Sequence, residues 1–220
     1  MTLYPPATHL RRRLRRITGF HRDESGVAAM EFAIIAPIII GVYLGLAELA
    51  MVLGVERQVS HSASVAGDLA TQAAVLEEAD IEDILSATLR VANVSDTNDY
   101  VLHMESFDRD SSGSEVSLGE IVYGAGRESW LEDFDAADLS ADMLAEGSGI
   151  VVARVAYRYT PMGMPNTLDT DSKKGLLPTS LTLTETFLLK PRRSATVEVG
   201  AGTGTKFTCT GSASGMNCSS

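Results

Sequence analysis

The chain has 220 residues, 45% of them apolar, and a formal net charge of −11, which suits one folded domain with an appendage. So acidic a chain is no general nucleic-acid binder, because phosphate contacts need clustered Lys and Arg. Two cysteines in this length exclude a dense disulfide scaffold, and the composition excludes collagen and long disordered repeats.

Basic residues concentrate at the start. Arg11, Arg12, Arg13, Arg15, Arg16 and Arg22 against Asp23 and Glu24 give residues 1–26 a charge of +4, leaving 12 basic and 27 acidic groups, or −15, for the rest. A basic head on an acidic body reads as a leader before a separate mature protein. Residues 32–47 carry no charge, and after Glu48 the apolar run resumes to Val55. As a helix, residues 32–55 span about 36 Å, enough to cross a hydrocarbon core of about 30 Å. The run is too long and too apolar all round for the core helix of a soluble protein. The preceding arginines set the N-terminus in the cytoplasm and the acidic body across the membrane. The run exceeds a secretory h-region and no small-x-small site follows it, so the transmembrane helix, residues 27–55, is expected to stay in the finished protein.

The junction reads Gly26, Val27, Ala28, Ala29, Met30, Glu31, Phe32. A charged leader ends in Gly, a Glu stands at the fifth position after it, and an apolar helix begins at once. Gly lets a protease approach the backbone closely, and a carboxylate at the membrane boundary is costly without a partner. This pattern resembles the class III signal of type IV prepilins, which a prepilin peptidase cuts after the Gly. The resemblance implies that Glu31 pairs with the new amine of Val27 on a neighbouring subunit and sets register; the other reading is that Glu31 snorkels to the headgroups. Ala29, Glu31, Phe32, Ala33, Pro37, Gly45 and Glu48, followed by V-E-R-Q-V-S-H-S-A-S-V-A-G, resemble the TadE-like family, pilin-like components of tight-adherence (Flp-type) pilus systems. The likeness covers about residues 22–70. V-A-Y-R-Y-T-P and T-F-L-L-K-P-R, further on, look like the family's closing segments, while Ser62 and Asp68 depart from its usual residues.

Within the span, Ala33, Pro37, Gly41 and Gly45 recur every four residues on one stripe. Gly41-x-x-x-Gly45 is either a close-packing interface or the ordinary abundance of Gly in membrane helices. Pro37 is expected to bend the helix or release a carbonyl. Glu48 lies about 25 Å along the axis from Glu31, near the outer headgroups.

The helix is expected to continue past the membrane, with Val55, Val59, Ala63, Ala66, Ala70 and Ala73 on one face. Asp80 is placed as the cap of a second helix carrying Ile81, Ile84, Leu85 and Leu89. Both faces read as core of a periplasmic domain over residues 56–193. Tyr100, Leu102 and Met104 alternate with Val101, His103 and Glu105 in a strand; residues 108–113 break it, and residues 116–123 form a second strand after a long loop. Residues 133–146 suggest a short helix capped at Asp135 or Asp138. Residues 150–160 are a strand with Val151, Ala153, Val155, Tyr157 and Tyr159 on one face and Arg154 and Arg158 on the other. Residues 161–174 read as a loop. Residues 180–190 form another strand, an edge because Glu185 breaks its apolar face. Residues 194–220 read as a Gly/Ser/Thr-rich tail, with Cys209 and Cys218 pairing in an oxidising periplasm. The expected fold is α+β: a single N-terminal transmembrane helix extending into a periplasmic helix, then a small antiparallel sheet, as in a pilin.

No catalytic or cofactor motif stands out. His61 and His103 have no partner at a diagnostic spacing, the Gly run at 200–205 lacks a dinucleotide fingerprint, and Asp108, Asp110, Asp169 and Asp171 lack EF-hand spacing. The two cysteines make a poor zinc site. The expected function is that of a minor pilin-like subunit of a tight-adherence pilus, not an enzyme and without cofactor or metal. Its expected partners are a prepilin peptidase, other pilin-like subunits, the inner-membrane assembly machinery and the lipid bilayer. The alternative is an uncleaved single-span envelope protein whose periplasmic domain binds a ligand or partner.

Overall fold

A computed structural model describes residues 25–93, 97–139, 143–145, 147–161, 180–200 and 202–220. The leader up to residue 24, the loop expected after residue 161, with Asp169 and Asp171, and part of the expected 133–146 helix lie outside these residues. The chain divides after Leu49 into two compact units.

The first unit holds the start of helix α1 (Ser25–Ala70). Phe32, Ile34, Ile38, Tyr43 and Leu44 are all more than half exposed. Among the described residues one helix is long and apolar enough to cross a membrane, and none of its most apolar stretch is buried. An apolar surface on every side has no place in water and suits lipid. The helix runs on through Pro37, whose missing N–H leaves the Ala33 carbonyl without its usual donor.

The second unit starts with the rest of α1. Val59, Ala63, Ala66 and Ala70 are fully buried, with Val55 and Ala73 packed beside them, so the small-residue face is core. Gly67 shows why the face is small: a Cβ there would run into Leu189 Cδ1 and lie 3.4 Å from Ala153 Cβ. Helix α2 (Glu78–Ala92) buries Ile81, Ile84, Leu85 and Leu89 as the spacing predicted. Its cap differs from the expectation. Glu77 is the N-cap, and Asp80 sits a turn later, where its Oδ2 accepts from the Glu77 backbone N–H at 3.3 Å. The first-turn acids suit the positive end of the helix dipole.

The strands are β1 (Val75–Leu76), β2 (Tyr100–Arg109), β3 (Glu115–Tyr123), β4 (Ile150–Tyr159), β5 (Leu181–Leu189), β6 (Glu198–Val199), β7 (Lys206–Ser212) and β8 (Gly215–Ser219). A six-stranded sheet has the order β5-β4-β2-β3-β7-β8, and β1 and β6 form a small parallel pair. Within the described sheet every neighbouring pair is antiparallel except β3 and β7, which run parallel; the sheet expected as antiparallel is therefore mixed. β5 is an edge strand, where Glu185 stands inside its apolar row.

Three local expectations change. The break at 108–113 is a tight turn, because β2 continues to Arg109, whose Nη2 bonds Glu115 Oε1 at 2.7 Å across the hairpin end. Asp110 Oδ1 accepts from the Ser112 and Ser114 backbone N–H groups at 2.8 and 3.0 Å, and the Ser112 hydroxyl and backbone donors hold its carboxyl below the ordinary value. The helix expected over 133–146 is, among the described residues, one 3-10 turn (Ala136–Asp138) with Asp135 as its cap, accepting from the Ala137 N–H at 2.9 Å. The tail expected from residue 194 is built into the domain: Val197, Val199, Phe207, Cys209 and Cys218 are buried in the main core. Its apolar residues are too sparse among Ser, Thr and Gly to show a period. Gly119, at φ +133°, is where this segment crosses β3; a Cβ would meet Val199 Cβ at 2.7 Å and the Thr205 carbonyl at 2.8 Å.

Candidate functional site

The helix entry is open. Gly26, Val27, Glu31 and Phe32 lie in the first turns of α1, all exposed. No atom lies within 4 Å of a Cβ built at Gly26, Gly41 or Gly45. Ala33, Pro37, Gly41 and Gly45 recur at four-residue steps, drifting about 40° per step around the axis, and large apolar residues beside them such as Ile34, Ile38, Val42 and Leu44 are exposed. Glu48 is half-buried, within one turn of Gly45.

Residues 26–68 match the profile described as TadE-like protein. That segment is similar to the TadE-like family. No match is found among curated proteins or among solved structures. With its exposed apolar stretch, the TadE-like segment is a single-pass membrane anchor.

Two residues where the TadE-like segment departs from the usual pattern have definite roles. Ser62 is fully buried; its hydroxyl donates to the Val59 carbonyl at 2.7 Å and therefore accepts from Tyr100 Oη at 3.0 Å. Burial raises the Tyr100 phenol well above its ordinary value, against the lowering effect of the Ser62 bond. Asp68 Oδ1 accepts from Arg192 Nη2 at 2.7 Å, and the Arg192 backbone N–H bonds the Thr71 carbonyl at 3.0 Å. Cys209 and Cys218 face each other on β7 and β8 and are joined; the Cys218 N–H donates to Glu82 Oε1 of α2 at 3.1 Å.

The sheet face away from α1 holds a polar network that the sequence did not reveal. Arg154 Nη2 lies 2.6 Å from His103 Nδ1, and His103 Nε2 lies 2.8 Å from Glu120 Oε2. Guanidinium only donates, so Nδ1 is the acceptor and the proton sits on Nε2, facing Glu120. Lys206 Nζ bonds Glu120 Oε1 at 2.8 Å, and the Ser117 hydroxyl donates to Glu105 Oε1 at 2.8 Å. Burial pushes the Glu120 carboxyl up, but the Lys206 and His103 bonds outweigh it and hold the group below its ordinary value. Burial lowers Arg154, and the bond to Glu120 raises Lys206. The ligand atoms of His103, Glu105 and Glu120 lie within 4.8 Å of one another, close enough to share a metal ion. Arg154 and Lys206 supply the positive charge there, and the protonated Nε2 faces the carboxylate, so the cluster works as an ion-pair network. Alternation along β2 and β4 placed these side chains on one face; their meeting depends on the β2–β3 register, Glu105 opposite Glu120, which the sequence does not disclose.

Proposed function

We propose that this protein is a minor pilin-like subunit of a tight-adherence (Flp-type) pilus system, held in the bacterial inner membrane with its N-terminus in the cytoplasm and its α+β domain in the periplasm. A prepilin peptidase cuts after Gly26 and the mature chain begins at Val27. Glu31 then pairs with the Val27 amine of a neighbouring subunit, and the Ala33, Pro37, Gly41 and Gly45 stripe takes a neighbouring helix. Glu48 reaches the outer headgroups. The periplasmic domain starts at residue 56 and includes the segment from 194 to 220, whose disulfide suits an oxidising compartment. The role is mechanical, with pilin-like subunits and the inner-membrane assembly machinery as partners.

The observation that supports this reading is the start of the TadE-like match at Gly26, where an apolar helix with every face exposed begins. The test is complementation of a strain lacking the protein, scored by surface fibres and adherence. Glu31→Ala is expected to abolish both while the protein still accumulates in the membrane. Full adherence from Glu31→Ala would contradict the subunit reading and favour an uncleaved envelope protein.

A further inference from the structure

The two edges of the main sheet are finished differently. At one edge β8 is five residues long, its Cys218 is joined to β7, and the Cys218 N–H donates to Glu82 Oε1 of α2 at 3.1 Å. At the other edge β5 runs for nine residues, L-T-L-T-E-T-F-L-L, and pairs with β4 in unbroken register from Leu181 opposite Tyr159 to Leu189 opposite Val151. Among the described residues no strand lies beyond it. It has no Pro, no Lys and no bulge, the usual devices that stop an edge from pairing. An edge of this length presents a row of backbone N–H and C=O groups that a further strand can take up.

A groove of about 490 Å³ lies beside this edge, between Glu185 and Phe187 of β5 and Leu53, Glu56 and Ser60 of α1. Glu185 stands half-buried between Leu183 and Phe187 on that face, opposite Val155 of β4. No hydrogen bond or ion pair reaches its carboxylate among the described residues; Arg57 and His61 line the same groove, but neither lies within ion-pair distance of it. Burial, and then the charges of Glu56 and Glu132, push the Glu185 carboxyl above its ordinary value. The middle of the open edge is therefore a carboxylate without a cation, set in an apolar row.

We propose that β5 is a docking edge that takes up one extended strand of a partner protein, and that this strand brings a Lys or Arg, placed between two apolar residues, onto Glu185. Backbone hydrogen bonds supply the affinity and the Glu185 carboxylate the selection. A cation there offsets the repulsion from Glu56 and Glu132, whereas an acidic strand adds to it. A second copy of this chain is the wrong occupant. β5 paired with itself about its middle sets two Glu185 carboxylates opposite or diagonal to each other, which is destabilising, and the chain after residue 26 carries −15, which repels its own kind. The edge belongs to the second unit and does not depend on cleavage after Gly26.

The test uses the full chain in detergent and two labelled peptides, S-V-T-K-T-V-S and S-V-T-E-T-V-S, with binding read by fluorescence anisotropy. The lysine peptide is expected to bind at least about tenfold more tightly than the glutamate peptide, the equivalent of about 1.4 kcal/mol. Glu185→Lys should reverse that order and Glu185→Gln should shrink the difference, with thermal unfolding checking that each variant is folded. Backbone pairing is tested without touching the protein. Alternate amides of a strand face a given neighbour, so N-methylating one alternate set in the lysine peptide should abolish binding and N-methylating the other set should leave it. Equal binding of the two peptides, no binding of the lysine peptide, binding that survives both methylated sets, or a preference that Glu185→Lys does not move overturns the proposal.

Discussion

Replacing Gly67 tests how closely α1 lies on the sheet. A Cβ at this position would overlap Leu189 Cδ1 and fall 3.4 Å from Ala153 Cβ. In Gly67→Ala only the end of the half-buried Leu189 side chain must move, costing about 1 kcal/mol off-rotamer, and removing a helix-interior Gly returns about 0.8–1 kcal/mol. The two nearly cancel. Gly67→Val adds two further methyls against Ala153 and Leu189, an overpacking of about 2–3 kcal/mol, and regains less from helix propensity. For a domain of this size about 2 kcal/mol lowers Tm by about 4–8 °C. The assay is thermal unfolding of the full chain in detergent, followed by Trp130 fluorescence. Gly67→Ala should lie within about 2 °C of wild type, Gly67→Val well below it. Leu189→Ala should recover part of the Gly67→Val loss, because it removes the clashing atom. A Gly67→Val protein as stable as wild type would refute the close approach.

Four further outcomes are expected. Ser62→Ala strands the buried Tyr100 hydroxyl and should cost about 1–3 kcal/mol, more than Tyr100→Phe at about 1 kcal/mol, read from denaturant midpoints. The folded-state value of the Tyr100 phenol stands above its ordinary 10.0, so the folded state keeps a proton that the unfolded chain loses; stability is full below pH 10 and falls as pH rises beyond it, and Tyr100→Phe should remove most of that slope. Glu120 is the opposite case: its folded value lies below 4.5, so the ion-pair network adds stability above that pH and loses it on acidification, a dependence that Glu120→Gln should flatten. Cys209→Ser should lower stability by about 2–3 kcal/mol, the chain-entropy value for a loop of this size, provided the wild-type comparison is kept oxidised.

Much of the helical half was legible. Val59, Ala63, Ala66 and Ala70 are the α1 core face and Ile81, Ile84, Leu85 and Leu89 the α2 core face, because burial on one side of a helix imposes a 3.6-residue period on the sequence. β2 and β4 were legible for the same reason at period two. What failed was long-range. The segment after residue 194 shows no period, and its place beside β3 depends on a parallel pairing made across more than eighty residues of chain. The Ser62–Tyr100 bond and the His103 network join residues 38, 17 and 51 positions apart, and no local pattern encodes such meetings. That Gly26, Val27, Glu31 and Phe32 stand at the start of a long apolar helix was legible because the run behind them is local.

The proposed role turns on cleavage after Gly26. Intact-mass and N-terminal analysis of the membrane-extracted protein, made in cells with and without a prepilin peptidase, tests it directly. A chain beginning at Val27 is expected only when the peptidase is present. A chain that keeps the residues before Val27 in both would contradict it.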